Sequence, residues 1–550
     1  MSIAPRILLL LATLTTLAGP RVSAAQQAPR ITISVDARAP WTPRIPVRMT
    51  IPATAGPLTL AVPRWLPGMH APEAPLGNFA RLRLTVDGAA LAWERDAFNP
   101  YLIHLTVPEG AKSVEASYDY VPKRRNREEV FYGVAASQHL AVLNPAAFSL
   151  APQGDSRALA VAFTIRLPKG WSAATALRVA APAAAEADGI AFSPVSLYTL
   201  VDSPIMAGQY RRSIPLATPK GDVPHTLELF AETDEVLAAK APVTAGLLTR
   251  LVAESGRMFG TRHYQSFRFM LALTTDIGRN GLEHHEGVAY VLQPDDLDPG
   301  KRQLPESEWP EMLIPHEYTH SWNGKFRRPY GEDAHSNGEP QSADLIWVYE
   351  GLTEYLSDVL MVRSGFRSFE GWRRDLLARI ATVRFGTGED WQTLADTALV
   401  APYTYVQGTG TGLRGVNDIY YESEMIWLEA DAIIRRESKG ARSLDDFCRL
   451  FFRGPNRGAE VVRYTRQDVV DALNRTQPYD WSGFIQRRFY APPNGLPTAG
   501  VEAAGWKVTF GDAPVGSPGR PNGLLDYRHT FGAGIGPTGR VADVQPGSIA

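Results

Sequence analysis

His316-Glu317-Tyr318-Thr319-His320 is the stretch on which the reading of this chain turns. On a helix, residues four apart share a face, so His316 and His320 can aim at one metal ion while Glu317 stays free as a base. Pro315, immediately before, tolerates a first helical turn but removes an interior hydrogen bond. The helix is therefore expected either to start near His316 or to bend there, and both outcomes keep the two histidines together.

A zinc site that works on water needs three protein ligands and one open position. Two glutamates compete for the third place. Glu339, nineteen residues beyond His320, lies in the turn-like Ser336-Asn337-Gly338-Glu339-Pro340. Glu350, thirty residues beyond, lies in a helical pattern from Ala343 to Val362, with Ser342 as the expected N-cap and Gly365 as the stop. Leu345, Ile346, Leu352, Leu356 and Val359 can bury one face of that helix, leaving Glu350, Thr353, Glu354 and Ser357 on another. Glu350 is the better ligand.

The rest of the chain sets the frame. At 550 residues it is too long for one core and suggests three or four domains. Its 44% hydrophobic and 21% charged residues are ordinary for globular protein. A net charge of -2 and a pI near 6.6 give no general attraction to nucleic acid or anionic lipid. The basic run Lys123 to Arg127 is followed by Glu128 and Glu129 and reads as a solvated loop. Cys448 is the only cysteine, so no intramolecular disulfide forms, and a buried, inert thiol is expected.

At the amino terminus, Arg6 precedes an apolar run from Ile7 to Leu17, Gly19 and Pro20 break it, and Val22-Ser23-Ala24 offers a cleavage site. Residues 1–24 read as an export signal to the periplasm or outside the cell. No other segment looks long and apolar enough to span a bilayer.

From 25 to 214 the pattern is that of strands, including Ile31–Val35, Leu58–Val62 and Leu82–Val86, with a hairpin turn at Asp87-Gly88. A sandwich-like β domain is expected. Ala180–Ala187 reads as a loop because Pro182 interrupts any helix there, and Pro215–Pro224 as a domain boundary. Beyond it come a helix over Ala245–Met258, strands over Phe267–Thr274 and Leu282–Leu292, and helices from Trp309 to Phe489. A Gly- and Pro-rich end follows, with a short strand over Trp506–Phe510.

The run from His316 through Ser321-Trp322-Asn323-Gly324-Lys325-Phe326-Arg327-Arg328-Pro329, followed by Leu345-Ile346-Trp347-Val348-Tyr349-Glu350-Gly351-Leu352-Thr353, resembles the glycyl aminopeptidase family of zinc peptidases. Gly281-Leu282-Glu283-His284-His285 resembles that family's substrate strand. Trp65-Leu66-Pro67-Gly68 and Asp202-Ser203-Pro204 resemble landmarks of its amino-terminal domain.

The resemblance implies a multidomain α+β protein. It has a β domain at 25–214, a thermolysin-like catalytic domain at 215–385, a helical domain at 386–491 and a partial PDZ-like module at 492–550. The last rests on Phe531-Gly532-Ala533-Gly534-Ile535-Gly536 and the strand-like Arg540–Val544.

It also implies one zinc ion on His316, His320 and Glu350, with Glu317 as general base. Tyr421 would be the oxyanion donor, with Tyr420 as its neighbouring rival, although the Glu422-Ser423-Glu424 that follows departs from the related enzymes' Lys-Gly. Glu283, with Gly281 and Leu282 on the same strand, would hold the free α-amine of a peptide. His284 and His285, adjacent on a strand, point to opposite faces and do not serve one ion together. The implied substrates are peptides with free amino termini and a small first residue. The rival readings are an endopeptidase with Glu283 idle and a noncatalytic peptide-binding protein.

Overall fold

The computed structural model describes residues 30–509 except 73–75, 123–132, 181–188, 298–307, 334–339, 386–391, 408–413, 415, 455–457, 459 and 493–497; after 509 it describes 511, 525–527, 532–536, 538–542, 544 and 549. The expected export signal, the basic run after Lys123, all but Ala180 of the Ala180–Ala187 loop, and Glu339 lie outside the described residues.

The amino-terminal part is β-rich. Ile31–Asp36 pairs with Ile45–Pro52 antiparallel and with Ala160–Arg166 parallel, inside an eight-stranded sheet. Two four-stranded sheets complete it, one containing Gly56–Ala61, the other Leu140–Leu143. Alternation drives this: Ile45, Val47, Met49 and Ile51 are buried while their neighbours are exposed or half-buried. The Asp87-Gly88 turn has both residues at positive φ, +49° and +81°, and closes the hairpin Thr85↔Ala90.

A five-stranded sheet follows, ordered Tyr210–Pro215, His225–Ala231, Phe267–Leu273, Gly287–Leu292, Asn280–His284. Its inner strands run parallel and its last is an antiparallel edge. Three expectations change here. The sheet begins at Tyr210, ahead of the expected boundary. The single strand over Leu282–Leu292 is a hairpin, because His285 and Glu286 make a turn that the apolar pattern did not betray. The helix expected over Ala245–Met258 spans Asp234–Phe259, capped by the Thr233 side chain and stopped by Gly260 at φ +70°.

That helix also corrects the reading that nothing after the signal could span a bilayer, since its length and apolar content suffice. Here Leu237, Leu248, Leu251, Val252, Met258 and Phe259 are buried in the core shared with the sheet.

Helices make up most of the remainder up to Phe489. Residues 506–509 form no strand: they follow a short helix, Ala499–Ala503, and Trp506 lies beside Phe369 and Arg373. Near the carboxyl end, Leu525–Tyr527, Ala533–Ile535 and Val541–Ala542 form a small sheet. Most of the residues that would make a PDZ-like module lie outside the described residues.

Buried charge clamps the parts together. Asp333 receives Arg157 from the β domain through both carboxylate oxygens (2.7 and 2.8 Å) and Arg463 from the helical part (2.6 Å). Asp202, also from the β domain, accepts from Lys325 Nζ (3.0 Å), His284 Nδ1 (3.0 Å) and the His285 backbone N–H (3.1 Å). Burial opposes the Asp202 charge, but Lys325 and His284 outweigh it and hold the carboxyl well below the usual range. Asp202→Asn removes the hydrogen-bonded charge partner of the buried Lys325 ammonium and should cost about 3 kcal/mol in urea unfolding at pH 7. A depressed carboxyl stabilises above its unfolded pKa, so the gap between parent and variant should narrow as the pH falls below about 4.

Candidate metal centre and catalytic cleft

The helix Glu308–Thr319 carries the first histidine and passes through Pro315 rather than starting after it. It is fastened from behind: Tyr318 is buried, its hydroxyl 2.7 Å from that of Tyr264 and 3.0 Å from His225 Nε2. Glu350 sits between a helical turn, Ile346–Tyr349, and the helix Gly351–Ser364, which Gly365 ends at φ +77°. The expected start at Ala343 with a Ser342 cap is not found; the helical turn begins at Ile346 without a side-chain cap.

His316, His320 and Glu350 converge. Their ligand atoms lie within 4.8 Å of one another. His320 Nε2 is 3.0 Å from His316 Nε2, and Glu350 Oε2 is 3.1 Å from the His316 nitrogen and 3.4 Å from the His320 nitrogen. The outer nitrogens explain this crowding. His320 Nδ1 faces the Asn323 carbonyl at 2.8 Å, and His316 Nδ1 faces Glu354 Oε2 at 2.8 Å. Both partners are acceptors, which suits a hydrogen on each Nδ1 and a lone pair on each Nε2 when an ion is held. Two nitrogen lone pairs and a carboxylate oxygen at such spacing call for a cation. Zinc bonds of about 2.0–2.1 Å in tetrahedral geometry put ligand atoms roughly 3.3 Å apart.

Burial disfavours a positive charge at His316, yet Glu350 and Glu354 outweigh it and hold the imidazole well above its usual value. Protons and a divalent cation therefore compete for this site. Glu350 itself is held well below the usual range: burial opposes this, and His320 and His70 prevail.

Three residues that the sequence reading gave no role complete the support. Glu354, placed only on the polar face of its helix, also meets Arg379 (3.4 Å), which in turn binds Asp358 (2.9 Å) and Glu424 (2.6 Å). Asn323 donates its amide to the carbonyls of Val348 (2.7 Å) and Tyr349 (3.2 Å) and to Thr353 Oγ1 (3.0 Å), tying the end of the histidine helix to the Glu350 segment. His70, from the β domain, lies 2.5 Å from Glu350 Oε1. Four-residue spacing from Glu350 could have flagged Glu354; nothing local could have flagged His70.

Glu317 and Glu283 come together with His320, their ligand atoms within 4.8 Å. Both carboxylates are buried. Burial pushes Glu317 up to about 8; the two imidazoles oppose the rise and Glu283 adds to it. A carboxyl in that range exchanges protons readily near neutrality.

Glu283 lies on the edge strand Asn280–His284 with Gly281 and Leu282, and accepts the Tyr349 hydroxyl at 2.7 Å. Burial raises its carboxyl, but Lys325 and His320 bring it below the usual value. His284 and His285 serve Asp202, a structural role.

Of the tyrosine pair, Tyr421 has the Arg379 guanidinium 5.6 Å from its ring centre and packs against the cluster that includes Leu376 and Met425, while the Tyr420 ring centre is 6.2 Å from that of His316.

The β-rich region, the sheet with its edge strand, and the paired helices bearing two histidines and a glutamate are those of a metallopeptidase. Residues 32–209 match the Peptidase M61 N-terminal domain and residues 311–426 the M61 glycyl aminopeptidase, together more than half of the chain. The chain belongs to the M61 glycyl aminopeptidase family. Among solved structures it is similar in fold to an aminopeptidase N family protein from Idiomarina loihiensis (18% identity, TM-score 0.70, covering 86% of this chain and 78% of that one). It is also similar to an M1 zinc metallopeptidase from Deinococcus radiodurans (12% identity, TM-score 0.53, covering 85% and 95%). No curated protein matches.

Two predictions follow from this geometry. Glu354→Gln should weaken zinc binding by roughly 10–100-fold, read by chelator competition, because it removes the charged partner of His316. At Gly68, φ is +89° and an added Cβ would stand 2.6 Å from Glu283 Oε2. Gly68→Ala should therefore displace Glu283 and raise KM for short unblocked peptides more than it lowers zinc content.

Proposed function

We propose that the chain is an exported aminopeptidase that uses one zinc ion to remove a small amino-terminal residue, glycine or alanine, from peptides. The observation that carries this reading is the buried Glu283 carboxylate beside Glu317 and His320, on the edge strand of the sheet. An edge strand offers unpaired backbone groups to an extended peptide, and a carboxylate at its end suits an α-ammonium. The close approach of Gly68 to Glu283 narrows that end of the cleft and favours a small first side chain. The apolar run after Arg6 supports export.

His316, His320 and Glu350 would hold the ion. When bound, zinc polarises the scissile carbonyl and brings a water near a pKa of about 7. Glu317 takes a proton from the attacking water and delivers it to the departing amine. Tyr420, bordering the ligands, donates to the oxyanion as the carbonyl carbon becomes tetrahedral. Glu283 fixes the peptide by its amino end, so the first peptide bond meets the water.

Glu317→Gln should keep its zinc while kcat on a glycyl or alanyl peptide falls about 10²–10⁴-fold. Acetylating the amino terminus of the same peptide should abolish cleavage by the parent. Equal cleavage of blocked and free peptides would make the enzyme an endopeptidase, and equal inertness of parent and variant with zinc bound would end the catalytic reading.

A further inference from the structure

His70 is the one imidazole of the β domain that enters the metal centre. It follows the Trp65-Leu66-Pro67-Gly68 turn and is 8% exposed. Nε2 lies 2.5 Å from Glu350 Oε1, and Nδ1 lies 3.3 Å from Glu332 Oε2. The ring meets Tyr349 edge-on, with centres 5.0 Å apart and planes at 84°.

The two oxygens of Glu350 are thus divided. Oε2 faces the nitrogens of His316 and His320, while Oε1 faces His70. His70 is not one of the converging ligand groups: its nitrogen meets the oxygen turned away from them. The terminal torsion of a glutamate is broad and nearly two-fold, so the side chain alone does not choose which oxygen points where. A donor held on one oxygen makes that choice and satisfies a buried acceptor as well.

We propose that His70 is the positioning residue for Glu350, so that the β domain supplies part of the metal centre. The proposal rests on the zinc reading above. By holding Oε1, His70 presents Oε2 alone to the ion and keeps the opposite side of the centre open for water and substrate.

The test uses the full chain stripped of metal, with zinc affinity measured by chelator competition and the visible spectrum of the cobalt(II) form as a second readout. In His70→Gln the amide nitrogen reaches the place of Nε2 and can still donate to Glu350. In His70→Asn the nitrogen falls at the place of Nδ1, towards Glu332, and Glu350 loses its donor.

The asparagine variant should bind zinc roughly 10–100-fold more weakly and show an altered cobalt spectrum, while the glutamine variant stays within about threefold of the parent. If the asparagine variant does not fold, His70→Phe, which keeps the ring against Tyr349, is read the same way. Arg157→Leu, which removes a different contact between the β domain and the catalytic part, should leave zinc affinity unchanged. The proposal is overturned if loss of the donor changes neither affinity nor spectrum, or if Arg157→Leu weakens zinc as much as His70→Asn. A parent chain that takes up no zinc would instead remove the metal reading on which it rests.

Discussion

Two imidazole nitrogens, His316 Nε2 and His320 Nε2, are brought within 3.0 Å of each other, a spacing that one shared cation fits. Their outer nitrogens face the Asn323 carbonyl and the Glu354 carboxylate, and the rest of the centre follows from that arrangement. Asn323 holds His320 through its backbone while its amide grips the Glu350 segment, so one residue sets both the orientation of a ligand and the distance to another. Glu354 hands its second oxygen to Arg379, which links the centre to Asp358 on the same helix and to Glu424 on the helix Val416–Glu437. The site is kept in shape by paired, hydrogen-bonded charge rather than by apolar packing alone.

The β domain is part of this construction. Asp202 secures Lys325 and the two histidines that follow Glu283, Asp333 collects guanidinium groups from both neighbouring regions, and the turn ending in Gly68 and His70 lies against Glu283 and Glu350. Each contact buries charge, which is costly unless every partner is present. The parts are therefore bound to one mutual arrangement, in which the substrate carboxylate and the metal ligands keep a fixed relation.

Much of this was legible in the sequence because it is local. Four-residue spacing brings His316 and His320 together whatever the tertiary structure, and alternation at Ile45–Ile51 reports a half-buried strand directly. Glu350 was readable from a helix with a polar stripe, though its start was misplaced because no side chain caps it. The hairpin turn at His285-Glu286 was hidden, since it contains neither glycine nor proline. Tyr420 and Tyr421 are adjacent in sequence, and pattern alone does not tell that Arg379 lies over the second. His70 is 280 positions from Glu350, and no periodicity spans such a distance.

Tyr349 and Glu350 are consecutive, and the first gives its hydroxyl to Glu283 while the second faces the histidines. The gap between the carboxylate that would receive an amino group and the ion that would act on a carbonyl is thus measured out by one phenol ring and one peptide unit. Such a stiff gauge has a single setting. On the proposed reading it would count off one residue from the end of a chain, and lengthening the count would take a change of backbone rather than a change of side chain.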